Sequence, residues 1–208
     1  MADISGRIFV LMGKSASGKD AIFKRLLDRD DVSLHKVILY TTRPIRQKEQ
    51  NGVEYFFCSE ADERRFEAEG KIIERREYTT VHGRWAYFTV DDGQIDLEKG
   101  DDYLVIGTID SLEQLIAYYS RECVVPIYIE TEDSIRLERA INRERKQETP
   151  KYEEMCRRFL ADSKDFSEER LAAAKVVHRF SNEGEINDTV NLVADCIKSF
   201  KTEDNHGY

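Results

Sequence analysis

Apolar residues along this chain follow two rhythms that alternate. Apolar-rich runs at residues 8–12, 34–40, 103–106 and 124–129 have the length and composition of strands buried on both faces. Helical spacing takes over between and after them. Residues 20–27 follow the first run at that spacing, Leu112, Leu115, Ile116 and Tyr119 form a stripe behind Ser111 as the predicted N-cap, and Ile186, Val190, Val193 and Ile197 form another near the end. Strands alternating with helices predict an α/β fold, a parallel sheet flanked by helices, with these stripes in its core.

Two stretches break the alternation. Between residues 43 and 89 the pattern gives short strands at 54–58, 71–78 and 84–89 and a charged helix over 59–68, which predicts a small inserted lobe. A second insertion, over 132–166, is dense in charge and helix formers, and Thr149-Pro150 marks a break before a new helix. The predicted organisation is one domain: a core from 1–40, 100–131 and 167–200, a lobe over 41–99, the charged insertion, and a polar tail at 201–208. Residues 176–179 look like a further strand.

The length of 208 residues and 40% hydrophobic content suit a folded soluble protein with a substantial core. No apolar run approaches the roughly 20 residues that cross a bilayer, and residues 1–7 lead into the first run without the pattern of a cleavable signal. A cytoplasmic protein with no membrane partner is expected. Cys58, Cys123, Cys156 and Cys196 lie far apart without a C-x-x-C pair, suggesting reduced thiols and neither a disulfide framework nor a zinc site. The net charge of −9 argues against a nucleic-acid partner, so local basic clusters carry more weight. They fall at Arg43, Arg46 and Lys48 and at Arg136, Arg139, Arg143, Arg145 and Lys146, where a small anion could be gripped.

Gly13-Lys14-Ser15-Ala16-Ser17-Gly18-Lys19 reads G-x-x-x-x-G-K between the first strand-like run and the first helical one, the context of a phosphate-cradling P-loop. Glycines 13 and 18 let the backbone wrap phosphate oxygens, N–H groups through Asp20 and Ala21 at the helix start donate to them, and Lys19 adds mobile positive charge. The motif ordinarily continues with Ser or Thr, whose hydroxyl binds Mg²⁺; here it continues with Asp20. Asp20 either ligates Mg²⁺ as a hard oxygen donor or repels the triphosphate, and the intact Gly18 and Lys19 favour the first.

The segment Tyr40-Thr41-Thr42-Arg43-Pro44-Ile45-Arg46-Gln47-Lys48-Glu49-Gln50-Asn51-Gly52-Val53-Glu54-Tyr55-Phe56-Phe57 holds two arginines three residues apart on a proline-containing loop. Their guanidinium groups can close on one phosphate, and the Tyr55 hydroxyl can add a third donor. Together with the glycine loop, this segment resembles the guanylate kinase family, whose acceptor-binding segment runs T-T-R-x-x-R-x-x-E-x-x-G-x-x-Y-x-F. The resemblance covers nearly the whole chain in order and is strongest at these two motifs.

The resemblance implies an ATP-dependent nucleoside monophosphate kinase that uses Mg²⁺, with GMP as preferred acceptor and small nucleotides as its partners. It implies that Arg43, Arg46, Tyr55 and Tyr87 hold the acceptor phosphate and that Thr89, Glu74 and Asp110 hold guanine. The two carboxylates would accept from N1–H and the exocyclic amine; their alternative roles are a solvent-facing strand charge and a helix cap. The charged insertion resembles the family's lid, bringing Arg139, Arg143 and Arg158 over the donor phosphates, with Lys19, Arg143 and Arg158 as catalytic residues. Asn182 stands where the family contacts the adenine of ATP; capping the last helix is its alternative. Two departures leave a different acceptor open. Residues 83–89 are longer than the family's G-x-Y-Y-G-[ST] and lack its second glycine, and Leu39 stands where the family places a serine against the guanine oxygen.

A phosphate acceptor is mostly dianionic at neutral pH, its second pKa being about 6, so no strong general base is needed. This agrees with His35, His82, His178 and His206, which share no triad or ligand spacing and are assigned surface or packing roles. A third possibility is a guanylate-kinase-like binding module without turnover. Gly13, Gly18, Lys19 and the arginine-rich insertion favour the enzyme instead.

Overall fold

The computed structural model describes residues 6–80 and 83–204. The first apolar run forms β1 (Ile8–Met12), buried at every position, and the glycine loop hands the chain to α1 (Lys19–Leu27). The run at 34–40 does not form one strand. It divides into β2 (Leu34–Lys36) and β3 (Tyr40–Thr41), which belong to different sheets. At the crossing the Gln94 carboxamide accepts from the Ile38 N–H (2.9 Å) and donates to its carbonyl (3.2 Å). A side chain thus satisfies backbone groups that a longer strand would have paired.

The chain continues through β4 (Phe56–Phe57), α2 (Glu60–Ala68), β5 (Ile72–Thr80) and β6 (Gly83–Val90). Ser59 starts α2 with a reciprocal box: its hydroxyl accepts from the Asp62 N–H, and the Asp62 carboxylate accepts from the Ser59 N–H. A short 3-10 turn at Leu97–Lys99 leads into β7 (Asp102–Ile106) and α3 (Ile109–Tyr119). Then follow β8 (Val124–Glu130), α4 (Asp133–Arg145), α5 (Tyr152–Asp165), α6 (Glu168–Ala173), β9 (His178–Ser181) and α7 (Ile186–Asp204). The break at Thr149-Pro150 falls between α4 and α5, as its chemistry predicts.

The starts of β4, α3 and β9 differ from the sequence pattern, β4 beginning at Phe56 and not at residue 54. The N-cap of α3 is Thr108, not Ser111: the Thr108 hydroxyl accepts from the Ser111 N–H (3.3 Å) and the Ser111 hydroxyl accepts from the Thr108 N–H (3.2 Å). Two hydroxyl residues three positions apart could each cap, and the reciprocal box selects the earlier one. β9 starts two residues later than the apolar pattern suggests, leaving Val177 72% exposed.

The main sheet has the order β2-β7-β1-β8-β9 with every neighbouring pair parallel. Successive β1 side chains point to opposite faces. Ile8, Val10 and Met12 join Leu112 and Leu115 on one side, while Phe9 and Leu11 join Ile22, Leu26, Val193 and Ile197 on the other. Helices cover both faces, which explains the nearly continuous apolar runs. A smaller sheet, β4-β3-β6-β5, carries its own cluster of Ala86, Phe88 and Val90.

In a parallel sheet the loops that leave the strands' C-terminal ends gather along one edge. The glycine loop, the start of α3, the start of α4 and Asn182 all leave the main sheet there. His35 is exposed beside Asp101 and packs on Tyr103, and His178 packs on Phe200. His82, His206, the first five residues and the tail from 205 onward lie outside the described residues. No described helix is long and apolar enough to cross a membrane, and all four cysteines are free thiols.

Candidate active site

The glycine loop is shaped by what surrounds it. Gly18 has φ +93°, and a Cβ there would lie 2.2 Å from Asn182 Nδ2; one on Gly13 would lie 2.8 Å from the Ile129 carbonyl. Neither position has room for a side chain. Ala16 also takes a positive φ of 64°, a conformation costly for a residue with a Cβ. Asn182 is 3% exposed and donates its carboxamide N–H to the Ser17 carbonyl at 2.7 Å. Its own N–H donates to the Glu130 carbonyl (2.8 Å), and its carbonyl accepts from Arg139 Nη2 (3.0 Å). The side chain that the resemblance assigns to adenine is therefore engaged in bracing the loop.

The helical insertion reaches the same loop at Ser15. Arg158 Nη2 donates to the Ser15 hydroxyl (3.2 Å), Arg136 Nη1 donates to the Ser15 carbonyl (3.0 Å), and the Ser15 N–H donates to Asp162 Oδ2 (2.6 Å). Arg136 is wholly buried, paired with Asp133 at 2.7 Å and lying 4.6 Å from the Phe159 ring centroid. Sequence reasoning placed Arg136 only in a basic cluster and missed Asp162; no local pattern distinguishes either from a solvated helix charge. Lys14 stands 3.6 Å from Asp133, and Lys19 Nζ stands 3.9 Å from the Asp20 carboxylate, which is 76% exposed. Arg143 is exposed.

On the acceptor side, Arg43 differs from its expected arrangement. Its guanidinium closes bidentate on Glu49 (2.9 and 3.0 Å), with Nε donating to the Tyr87 hydroxyl (3.1 Å) and Nη1 also to the Pro44 carbonyl (2.9 Å). It is 3% exposed and lies 5.5 Å from the ring centroids of both Tyr55 and Phe57. Burial beside two rings requires a counter-charge inside the protein, and Glu49 supplies it. Hydrogen bonding to Arg43 holds the Glu49 carboxyl below the usual range, so it is ionised at neutral pH. Arg46 is exposed and donates its backbone N–H to the same carboxylate. Tyr55 packs edge-on against Tyr87, and burial, with a smaller contribution from Tyr87, pushes its phenol up. It is a neutral hydroxyl donor.

Glu74 is 1% exposed and accepts from the Thr89 hydroxyl at 3.0 Å, so it is no solvent-facing strand charge. Its Oε2 lies 3.3 Å from Arg76 Nε, an ion pair whose alignment leaves both atoms buried without a hydrogen-bond partner. Asp110 is exposed in the first turn of α3, where Thr108 does the capping, and pairs with Arg170. Arg76, Tyr78, Thr108, Asp110, Asp165 and Arg170 line a cavity of about 450 Å³. Leu39 is buried in the core and offers no polar contact.

The sequence model described as guanylate kinase matches residues 5–197. The chain is similar to guanylate kinase from Dechloromonas aromatica (strain RCB), 29% identical over 94% of this chain and 88% of that one. It is likewise similar to the one from Legionella pneumophila (strain Paris), 24% identical over 96% and 99%. The match to guanylate kinase from Nitrosomonas europaea is 40% identical but spans only 36% of either chain. A match to that from Malacoplasma penetrans spans 37% of that relative. Among solved structures, guanylate kinase from Anaplasma phagocytophilum superposes with a TM-score of 0.68 at 19% identity, covering 96% of this chain and 88% of that one, a likeness of fold.

The Asp162 carboxylate sits on a loop N–H in the manner of a phosphate oxygen. Asp162→Ala is expected to tighten ATP binding roughly tenfold in calorimetric titration, since a hydrogen bond to a charged group no longer competes. Weaker binding would mean that Asp162 shapes the loop instead.

Proposed function

The chain belongs to the guanylate kinase family, and on that premise we propose that it transfers the γ-phosphoryl group of ATP to GMP, giving ADP and GDP. The observation that carries this reading is a glycine loop braced by Asn182 in the same chain as the Arg43, Tyr55 and Tyr87 cluster. We assign residues 41–99 to acceptor binding and 132–166 to a lid.

ATP phosphates lie on the N–H groups at the start of α1, with Lys19 beside them. Arg46 and Tyr55 hold the acceptor phosphate, and Arg43 fixes the geometry of that wall through Glu49 and Tyr87. An acceptor oxygen then attacks the γ-phosphorus in line as the bond to the β,γ-bridging oxygen breaks, and ADP leaves. Positioning and charge neutralisation do most of this work. Arg158 is already at the loop through Ser15, whereas exposed Arg143 is free to turn inward when the lid closes and water is excluded.

Among the described residues no three His, Cys, Asp or Glu side chains gather as a metal cage. A single exposed carboxylate, Asp20, next to phosphate oxygens fits Mg²⁺, which keeps most of its water and takes one or two carboxylates. Bound there, Mg²⁺ would neutralise phosphate charge.

An ADP-release assay with ATP, Mg²⁺ and GMP, dGMP, AMP, CMP or UMP tests the activity. Release is expected with GMP and dGMP and not with the others; release with a different acceptor alone overturns the assignment of GMP. Asp20→Ala is expected to raise the Mg²⁺ concentration needed for half-maximal rate, and an unchanged Mg²⁺ dependence would remove Asp20 from the metal site.

A further inference from the structure

We propose that Arg76 reads the acceptor base, standing at the cavity wall with Glu74 behind it as counter-charge. The proposal rests on the reading of the chain as a GMP kinase and names the residue that selects the base. Strand β5 places Glu74 and Arg76 on the same face, two residues apart. Their environments differ in a telling way. Glu74 is 1% exposed, with one oxygen on Thr89 and the other 3.3 Å from Arg76 Nε, both of those last atoms buried. Arg76 is 14% exposed and lines the cavity of about 450 Å³ with Tyr78, Thr108 and Asp110, whereas Glu74 is not part of its wall. The carboxylate lies outside the wall to which Arg76 belongs.

A nearly buried arginine needs an internal counter-ion, and a carboxylate held by Thr89 supplies one. The group presented to a ligand is then a rigid fork of donors. Guanine offers such a fork two adjacent acceptors, O6 and N7, while adenine offers N7 beside an N6 amine that donates. Leu39 is buried and apolar, so it supplies no hydrogen bond to O6. Asp110, on the same cavity, supplies the acceptor-only group that suits the N1–H and amine edge. Arg76 also faces Tyr87 across the strands, and its charge acts on Tyr55. A contact to the acceptor phosphate is therefore the competing role, and the test must separate the two.

Calorimetric binding of GMP, 7-deaza-GMP and AMP to the wild-type chain and to Arg76→Met does so, because all three ligands carry the same phosphate and ribose. The wild type is expected to bind GMP roughly tenfold to a hundredfold more tightly than AMP, with 7-deaza-GMP in between, and Arg76→Met to erase the difference between GMP and 7-deaza-GMP and to narrow that between GMP and AMP, Asp110 keeping the remainder. Equal weakening of all three ligands by Arg76→Met, or no weakening of GMP, would overturn the proposal. Arg76→Lys keeps the charge opposite Glu74 but not the fork, and is expected to keep the wild-type melting temperature while losing most of the preference for GMP over 7-deaza-GMP. Because binding is read without turnover, a chain that discriminates GMP from AMP yet releases no ADP would sink the kinase reading and leave the role of Arg76 standing.

Discussion

The buried carbonyl of Ser17 is the point on which the site turns. It lies in the loop after β1, and it is held by the Asn182 carboxamide from the end of β9, with the Thr131 hydroxyl from the end of β8 at 3.2 Å. A buried carbonyl without a partner costs about 1–3 kcal/mol, so this contact ties the loop's shape to the order of the parallel strands. Gly13 and Gly18 are required for the same reason, since a Cβ on either would strike β8 or Asn182. The N–H groups at the start of α1 thus face a ligand from a frame already set, and little reorganisation is left for the moment of binding.

Around that frame the charges come in compensated pairs. Arg43 has Glu49, Arg136 has Asp133 and Arg76 has Glu74, and in each pair the guanidinium is the more sheltered group or stands between its carboxylate and the ligand space. Buried arginines without such partners would be strongly unfavourable. The pairing also explains how a chain of net charge −9 can offer concentrated positive charge at this site. Positive charge is concentrated locally and rigidly, and the compensating carboxylates tune how strongly each arginine can respond to a phosphate or a base. Asp162 on the Ser15 N–H shows the same principle applied to the backbone.

Features fixed by local chemistry were legible in the sequence. The glycine motif between an apolar run and a helical one, the charged helix α2, the break at Thr149-Pro150 and the Arg43 to Tyr55 segment all have short-range causes. What escaped depends on distant partners. Nothing local divides residues 34–40 between two sheets, because the dividing group is Gln94. Thr108 and Ser111 are both good caps, and only the folded helix chooses. Arg136, Arg76 and Asp162 read as surface charge until tertiary packing buries or directs them. Leu39 was visible as a departure, but its consequence for base recognition required seeing Arg76 on the cavity wall.

The central claim is that Asn182 preforms the phosphate cradle through Ser17, and ATP affinity of Asn182→Ala tests it most directly. Calorimetric titration is predicted to show ATP binding weakened about tenfold, in line with a buried carbonyl that loses the shorter of its two hydrogen bonds, while GMP affinity stays at the wild-type value. Unchanged ATP affinity in a folded variant would contradict the account.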